Sequence, residues 1–243
     1  MLTLANSLGY TYTGGALPAP LFSVNFDQSG TDDKMTFTET TFDTDGNITF
    51  AFWFKANAVP ADSDFHGVFG RGYNFQAYIR IGNNGSIAIE SNTNHDEAIT
   101  STAGWSKDTN WHHYAFTIAS GTVIIYVDGV SKAGVMTSNS LEDDTTINQL
   151  GQVGTQASSK LDGKLYQVAI WNGTLAANEV SSIYNSGTPI ALEENSGDYS
   201  SSSSLIHHWK FNEGSGTSCA DSAGCLTGTL TDDASFSTDI PGS

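Results

Sequence analysis

Residues 47–56, NITFAFWFKA, decide the fold class, because bulky apolar side chains recur there at every second position. One face of this stretch carries Ile48, Phe50, Phe52 and Phe54. The opposite face carries Thr49, Ala51, Trp53 and Lys55. A period of two is typical of a β-strand with one face against a core. The stretch therefore predicts a central strand of a sheet.

On both sides of residues 47–56, other short stretches of strand-like pattern recur along the chain, each bounded by Gly, Asn or Asp. Asp128-Gly129 follows one of them and predicts a type I′ hairpin turn, which needs positive φ at both central residues. A single stretch, 175–187, has helical spacing, with Gly187 as its expected cap. The other predicted strands are 22–26, 34–38, 67–70, 76–81, 86–90, 111–119, 122–127, 147–151 and 163–171. We expect an all-β, antiparallel two-sheet jelly-roll sandwich with one short helix.

The composition agrees with one large domain and excludes several classes of partner. The chain has 243 residues, of which 38% are hydrophobic and 11% aromatic, enough for a packed core. Nine Lys and Arg against 26 Asp and Glu give a formal net charge of −17. A surface this acidic disfavours nucleic acid and anionic lipid. We expect no membrane insertion, and the opening residues lack the features of an ordinary signal peptide.

The two ends of the chain differ in character from its middle. Residues 1–20 are polar and Gly-rich, which predicts an extended arm. Residues 191–204 are Ser-rich and predict a flexible linker. Residues 205–243 hold one more strand and a polar tail with Cys219 and Cys225. These thiols form a local disulfide if the protein meets an oxidising medium, or remain unpaired.

Several segments within 21–190 together resemble the laminin G-like or concanavalin A-like lectin/glucanase jelly roll. They are FSVNFDQSGTDDKMTF, NITFAFWFKA, WHHYAFTIASGTVIIYVDGV, INQLGQVG, LDGKLYQVAIWNGTLAANEV and IYNSGTP, in the order of that family. The later stretch LIHHWKFNEGSGTSCADSAG resembles the segment that normally opens such a domain. The tail therefore either completes the same sandwich, as in a circular permutation, or docks to a neighbouring subunit.

The order of these segments is also similar to jelly-roll proteins of marine bacteriophages, where such chains are virion components. This resemblance implies a capsid-decorating or fibre-associated protein that contacts other virion proteins or its own copies. A secreted or cell-surface bacterial lectin is the alternative, with an extracellular location.

The sequence lacks the motifs of the enzymes that share this fold. A laminarinase-like relative has paired carboxylates in E-x-D-x-x-E, whereas Glu142-Asp143-Asp144 has no partner Glu after it. The pairs His112-His113 and His207-His208 lie in predicted strands, so neighbouring imidazoles face opposite sides and do not chelate one ion. We expect no catalytic residues and no enzymatic activity.

Two kinds of binding site remain as predictions. Clustered oxygen ligands are what calcium prefers, and the resemblance implies a calcium at the rim of the sandwich. Its predicted ligands are Asp27, Asp32, Asp33 and Asp162. Aromatic side chains in loops stack on sugar rings. The predicted glycan-binding residues are Tyr73, Tyr78 and Trp105.

Overall fold

Two antiparallel sheets lie face to face in the computed structural model of the chain, which confirms the predicted all-β jelly-roll sandwich. It describes residues 4–5, 11–12, 21–27, 33–59, 65–71, 78–82, 85–90, 97–100, 107–132, 134–136, 141, 144–154 and 159–242. Tyr73, Trp105 and Asp32 lie outside these residues.

The strands of the described residues are short, as expected for a chain rich in turns. They are β1 Leu4–Ala5, β2 Thr11–Tyr12, β3 Ser23–Phe26, β4 Lys34–Phe42, β5 Asn47–Ala56, β6 Phe65–Gly70, β7 Tyr78–Gly82, β8 Ile87–Glu90, β9 Glu97–Thr100, β10 His112–Ala119, β11 Thr122–Val127, β12 Val130–Lys132, β13 Gly134–Met136, β14 Thr145–Leu150, β15 Gly163–Trp171, β16 Leu205–Trp209, β17 Ser218–Cys219, β18 Gly228–Thr231 and β19 Ser235–Ser237. One α-helix, α1, spans Ala177–Tyr184, and short 3-10 turns occupy Asn185–Gly187 and Ser202–Ser204.

An eight-stranded sheet has the order β12-β11-β10-β5-β15-β3-β19, with β16 also pairing with β15. A nine-stranded sheet has the order β13-β9-β8-β7-β6-β14-β4-β18-β17. β1 and β2 pair only with each other. The C-terminal strands enter both sheets, because β16 pairs with β15, β18 with β4 and β19 with β3. The tail thus lies in the same sandwich as the rest of the chain.

β5 shows how the sequence pattern produces the core. Phe50, Phe52 and Phe54 are essentially unexposed and lie between the two sheets. The opposite face is also buried near its middle, since Ala51 packs in a second cluster with helix α1 and Trp53 lies 5.8 Å from the Tyr184 ring. The helix therefore covers the outer face of the eight-stranded sheet near the middle of β5, and the end of β5 near Lys55 presents polar groups there.

Two local predictions are confirmed, one with a correction. Asp128 and Gly129 have φ of 52° and 73°, and Val127 pairs with Val130 across them, as a type I′ turn requires. Helix α1 forms where the spacing predicted it. Its left-handed cap is Asn185, with φ of 44°, rather than Gly187. Asn tolerates this backbone region because its short side chain bonds locally, and the Asn185 amide donates to the Thr188 carbonyl.

The prediction of a flexible Ser-rich linker is wrong for this part of the chain. Tyr199 is fully buried, and its hydroxyl donates to the Leu192 carbonyl while it accepts from Trp171 Nε1. The Glu179 carboxylate accepts hydrogen bonds from the hydroxyls of Ser200 and Ser201. The serines supply hydrogen-bond donors to the Glu179 carboxylate, and buried Tyr199 anchors the segment in the core.

Neither cysteine is bonded to the other: Cys219 is buried, Cys225 is exposed, and both are free thiols. Burial raises the pKa of the Cys219 thiol well above its usual value. No helix in the described ranges is both long enough and apolar enough to cross a bilayer.

Candidate functional site

A row of polar side chains crosses four strands on the outer face of the eight-stranded sheet. Cross-strand pairing places Lys55 beside Lys164, Lys164 beside Asn25, and Asn25 beside Ser235. The row depends on Gly163, where a Cβ atom would collide with the Lys55 carbonyl oxygen. Glycine therefore allows β15 to begin close against β5 and brings the two lysines side by side.

An open cleft of about 590 Å³ lies along this row. Its lining residues supply amides, hydroxyls, one carboxylate and one ammonium group. The residues are Asn25, Asp27, Asn57, Lys164, Ser235, Phe236, Ser237 and Thr238. We refer to this feature as the Asn57 cleft. Concave sites with a few convergent polar groups and some apolar surface are the usual form of small-ligand sites.

The C-terminal wall of the cleft is held by Asp239. Its Oδ2 lies 2.7 Å from Lys55 Nζ and 3.4 Å from Lys164 Nζ, and its Oδ1 accepts from Trp111 Nε1 at 3.0 Å. The Ser23 hydroxyl donates to the Asp239 carbonyl at 2.7 Å. Burial would raise the pKa of Asp239, but the bonds from Lys55 and Trp111 and the lysine charges lower it below its usual value.

Asn57 connects the cleft to Asp162, one of the predicted calcium ligands. Its Nδ2 donates to Asp162 Oδ1 and Asn25 Oδ1, both at 3.1 Å, and its Oδ1 accepts from Lys164 Nζ at 3.2 Å. Burial raises the pKa of Asp162, and the nearby charge of Asp27 raises it further. Asp27 and Asp162 therefore stand close enough to repel each other, at one end of the cleft.

Asp33 has a different place in the fold. It is 2% exposed, and its two oxygens accept the backbone N–H groups of Asp27 and Asp233. This carboxylate joins the turn after β3 to the turn after β18. Of these predicted ligands, Asp27, Asp33 and Asp162 do not form a compact group among the described residues. Calcium binding by Asp27, Asp32, Asp33 and Asp162 stays a prediction.

Among the residues that the structure describes, the carboxylates that do converge are Asp43, Asp45 and Asp144. Their ligand oxygens lie within 4.8 Å of one another at the exposed β4–β5 turn. A hydrogen bond with Asp43 raises the pKa of Asp45. Asp144 belongs to the acidic turn that lacked a partner Glu in the sequence, and this turn now meets a second acidic turn from another part of the chain.

The two histidine pairs are structural and follow the same pattern. Asp128 accepts from the backbone N–H of His113 and pairs with His112 Nδ1 at 2.6 Å. In the second pair, Asp221 accepts from the backbone N–H of His208 and pairs with His207 Nδ1 at 2.7 Å. His113 and His208 are buried on the opposite face of their strands. The imidazoles of each pair point apart, as predicted, and do not form a shared metal site.

Glycan binding by the predicted aromatics Tyr73, Tyr78 and Trp105 stays a prediction. Tyr73 and Trp105 lie outside the described residues, and Tyr78 is described only by its backbone in β7. Phe236 is the aromatic residue among those at the cleft, but it pairs with Val24 and its side chain packs against the core. Sequence reasoning missed Asn25, Asn57 and Ser235, because isolated polar residues in strands and turns carry no motif.

The fold and the cleft define a lectin-type β-sandwich. A laminin G-type family model, described as the concanavalin A-like lectin/glucanases superfamily, matches residues 29–181. The match covers more than half of the chain, and the chain belongs to this superfamily.

Two solved structures share the fold at low sequence identity. One, from Bacteroides ovatus, is provisionally named a carbohydrate binding protein; it has 16% identity, a TM-score of 0.62 and coverage of 92% of this chain. This chain spans 62% of that protein's length. The other is the native heptameric SAP-like pentraxin of Limulus polyphemus, with 13% identity, a TM-score of 0.54 and coverage of 88% of this chain and 97% of that one. No curated protein matches the chain in sequence.

Proposed function

We propose that this protein is a non-enzymatic carbohydrate-binding module and that its ligand occupies the Asn57 cleft. The observation that carries the proposal is the convergence of amides, hydroxyls and an ammonium group from four separate chain segments on one open cleft. A saccharide presents hydroxyls that both donate and accept hydrogen bonds, and these side chains supply both functions.

The electrostatics and shape of the cleft support this choice. Asn25 and Asn57 are held by hydrogen bonds with each other and with Asp162, so their amides are oriented before a ligand arrives. Pre-orientation reduces the entropy lost on binding. The name of the Bacteroides ovatus protein adds support, because that protein shares the fold and is associated with carbohydrate.

The non-enzymatic part of the proposal rests on the sequence. The carboxylate pair of laminarinase-like relatives is missing, and Asp144 lies instead with Asp43 and Asp45 at an exposed turn.

A glycan array probed with the full chain, followed by calorimetric titration of each hit, tests the binding function. We expect Asn57→Ala and Ser235→Ala each to weaken binding about tenfold, the cost of about one hydrogen bond. Matched controls are Thr38→Ala and Thr229→Ala, exposed polar residues on the outer face of the other sheet. Binding that survives the cleft variants, or falls equally in the controls, would place the ligand elsewhere. Running the array in calcium and in chelator tests the calcium prediction.

We further propose that the module is carried on the surface of a phage virion and contacts host glycans there. The order of the jelly-roll segments, with an N-terminal arm and a permuted C-terminal strand, supports this location. Immunodetection in particles purified by density gradient should follow the particles if the proposal is correct. Recovery in particle-free medium or on bacterial cells would instead assign the protein as a secreted or cell-surface lectin.

Self-association is part of the virion proposal. A protein that shares the fold, the Limulus pentraxin, is heptameric. Because the chain carries a net charge of −17, copies repel one another at low salt. Sedimentation velocity should show association that strengthens as salt is added, and a steady weakening with salt would contradict it.

A further inference from the structure

We infer that the Asn57 cleft selects uncharged sugars and that Asp239 sets this selectivity. The inference rests on the proposed function and deepens it, because it names the class of glycan. It concerns a residue outside the stretch matched by the family model, 29–181, that directly follows the lining residue Thr238 and contacts the lining residue Lys164.

The first observation is that both cations at the cleft already have a partner. Lys55 Nζ lies 2.7 Å from the Asp239 carboxylate, and Lys164 Nζ lies 3.4 Å from it. Lys164 Nζ also donates to Asn57 Oδ1 at 3.2 Å. Trp111 Nε1 adds a third donor to the same carboxylate. The chain's own carboxylate therefore already neutralises the lysines that could otherwise pair with the carboxylate of an acidic sugar.

The second observation is the balance of charge around the cleft. Asp27 lines it, and Asp162 is bonded to the Asn57 amide at its edge. With Asp239 these carboxylates outnumber Lys55 and Lys164. An acidic sugar entering here would meet Asp27 and Asp162 with no uncompensated cation to receive it, and like charges brought together across a binding surface are strongly disfavoured. A neutral sugar meets only hydrogen-bonding groups.

The third observation is that the wall is fixed by contacts that surround Asp239. Its carbonyl accepts from the Ser23 hydroxyl, and its backbone N–H donates to Ser237 Oγ at 3.2 Å. These contacts do not involve the carboxylate. Asp239→Asn therefore removes the charge while it keeps the shape and the backbone contacts of the wall, and it leaves Lys55 and Lys164 uncompensated.

The test compares matched pairs of oligosaccharides that differ only at C6, with a hydroxymethyl or a carboxylate group. Suitable pairs are cello-oligosaccharides and their uronate forms, and β-1,4-mannan and β-1,4-mannuronan oligomers. For the full wild-type chain we expect the neutral member of a bound pair to bind at least about tenfold more tightly. Asp239→Asn should improve binding of the carboxylated member at least about fivefold, and this gain should shrink as salt is raised.

The matched control is Asp198→Asn, which makes the same change of charge at an exposed turn. For this variant, the ratio of the affinity for the carboxylated member to the affinity for the neutral member should stay within about twofold of the wild-type ratio. If Asp239→Asn does not fold, Asp239→Ser replaces it as the variant that removes the charge, with the same expected gain for the carboxylated member. A wild-type chain that binds the carboxylated member equally well, or an unchanged ratio in folded Asp239→Asn, overturns the inference but leaves glycan binding intact. Absence of binding to every oligosaccharide overturns the proposed function and this inference together.

Discussion

The Asp221 carboxylate offers a sharp test of how the C-terminal segment is held in the sandwich. This side chain is fully buried and joins β16 to the turn that follows Cys219. Its Oδ1 accepts from the backbone N–H groups of His208 and Gly224, both at 2.9 Å. Its Oδ2 accepts from the backbone N–H of Leu226 at 3.0 Å and faces His207 Nδ1 at 2.7 Å. Asp221→Asn keeps the shape but replaces one oxygen with an amide donor.

The expected cost follows from these bonds. Two of them, to Leu226 and His207, lose their acceptor, and the remaining ones lose the negative charge of the carboxylate. Hydrogen bonds to a charged group contribute about 1.5–3 kcal/mol each, so we expect the free energy of unfolding to fall by about 3–5 kcal/mol. For a domain of this size the midpoint temperature should fall by roughly 2–4 °C per kcal/mol.

Asp128→Asn is the matched comparison, because Asp128 makes the same contacts with His112 and His113 while its side chain is 30% exposed. Its left-handed φ of 52° suits Asn equally well, so we expect a loss of about 1 kcal/mol. Urea unfolding followed by tryptophan fluorescence measures both variants. A loss below about 1 kcal/mol for Asp221→Asn, or one no larger than that for Asp128→Asn, would refute the role assigned to burial.

Asp221 also predicts a pH dependence. Burial would raise its pKa, but the hydrogen bonds from His207 and from the backbone of His208, Leu226 and Gly224 lower it well below its ordinary value of 3.8. A carboxyl with a lowered folded-state pKa stabilises the fold above its unfolded-state pKa, and this contribution is lost as the pH falls further. The difference in stability between wild type and Asp221→Asn should therefore be constant near neutrality and shrink below about pH 4.

Two further predictions concern His112 and Tyr199. Burial would lower the pKa of His112, but Asp128 at 2.6 Å and Asp108 at 3.0 Å raise it above 6.5. The wild type should therefore be more stable than His112→Gln by its full margin below pH 6.5, and this margin should decline as the pH rises through the folded-state pKa. A margin that grows with pH in urea unfolding would contradict this. Tyr199→Phe leaves buried Trp171 Nε1 and the Leu192 carbonyl without their shared partner. We therefore expect the free energy of unfolding to fall by about 2–4 kcal/mol and amide exchange in residues 193–204 to become faster. Unchanged exchange would mean that other contacts hold this segment.

Much of the fold is readable from local pattern, because the side-chain period of a strand is short and repeats within a few residues. The alternation in 47–56 predicts a core-facing strand, and Phe50, Phe52 and Phe54 do lie in the core. Asp128-Gly129 predicts its turn because positive φ is a property of those two residues alone. The Ser-rich stretch shows the limit of such reasoning: its composition is typical of linkers, but Tyr199 and Glu179 fix it through contacts made elsewhere in the chain.

The amino-acid sequence by itself determined the sandwich, its one helix and its acidic surface, since periodicity, turn chemistry and net charge are local or additive properties. The Asn57 cleft could not be predicted from the sequence, because it forms only in the tertiary structure. Asn25, Asn57, Lys164 and Ser235 are far apart in the chain, and they meet because β3, β5, β15 and β19 are neighbours in one sheet. No spacing rule connects them, since the order of strands in a sheet is set by how whole strands pack.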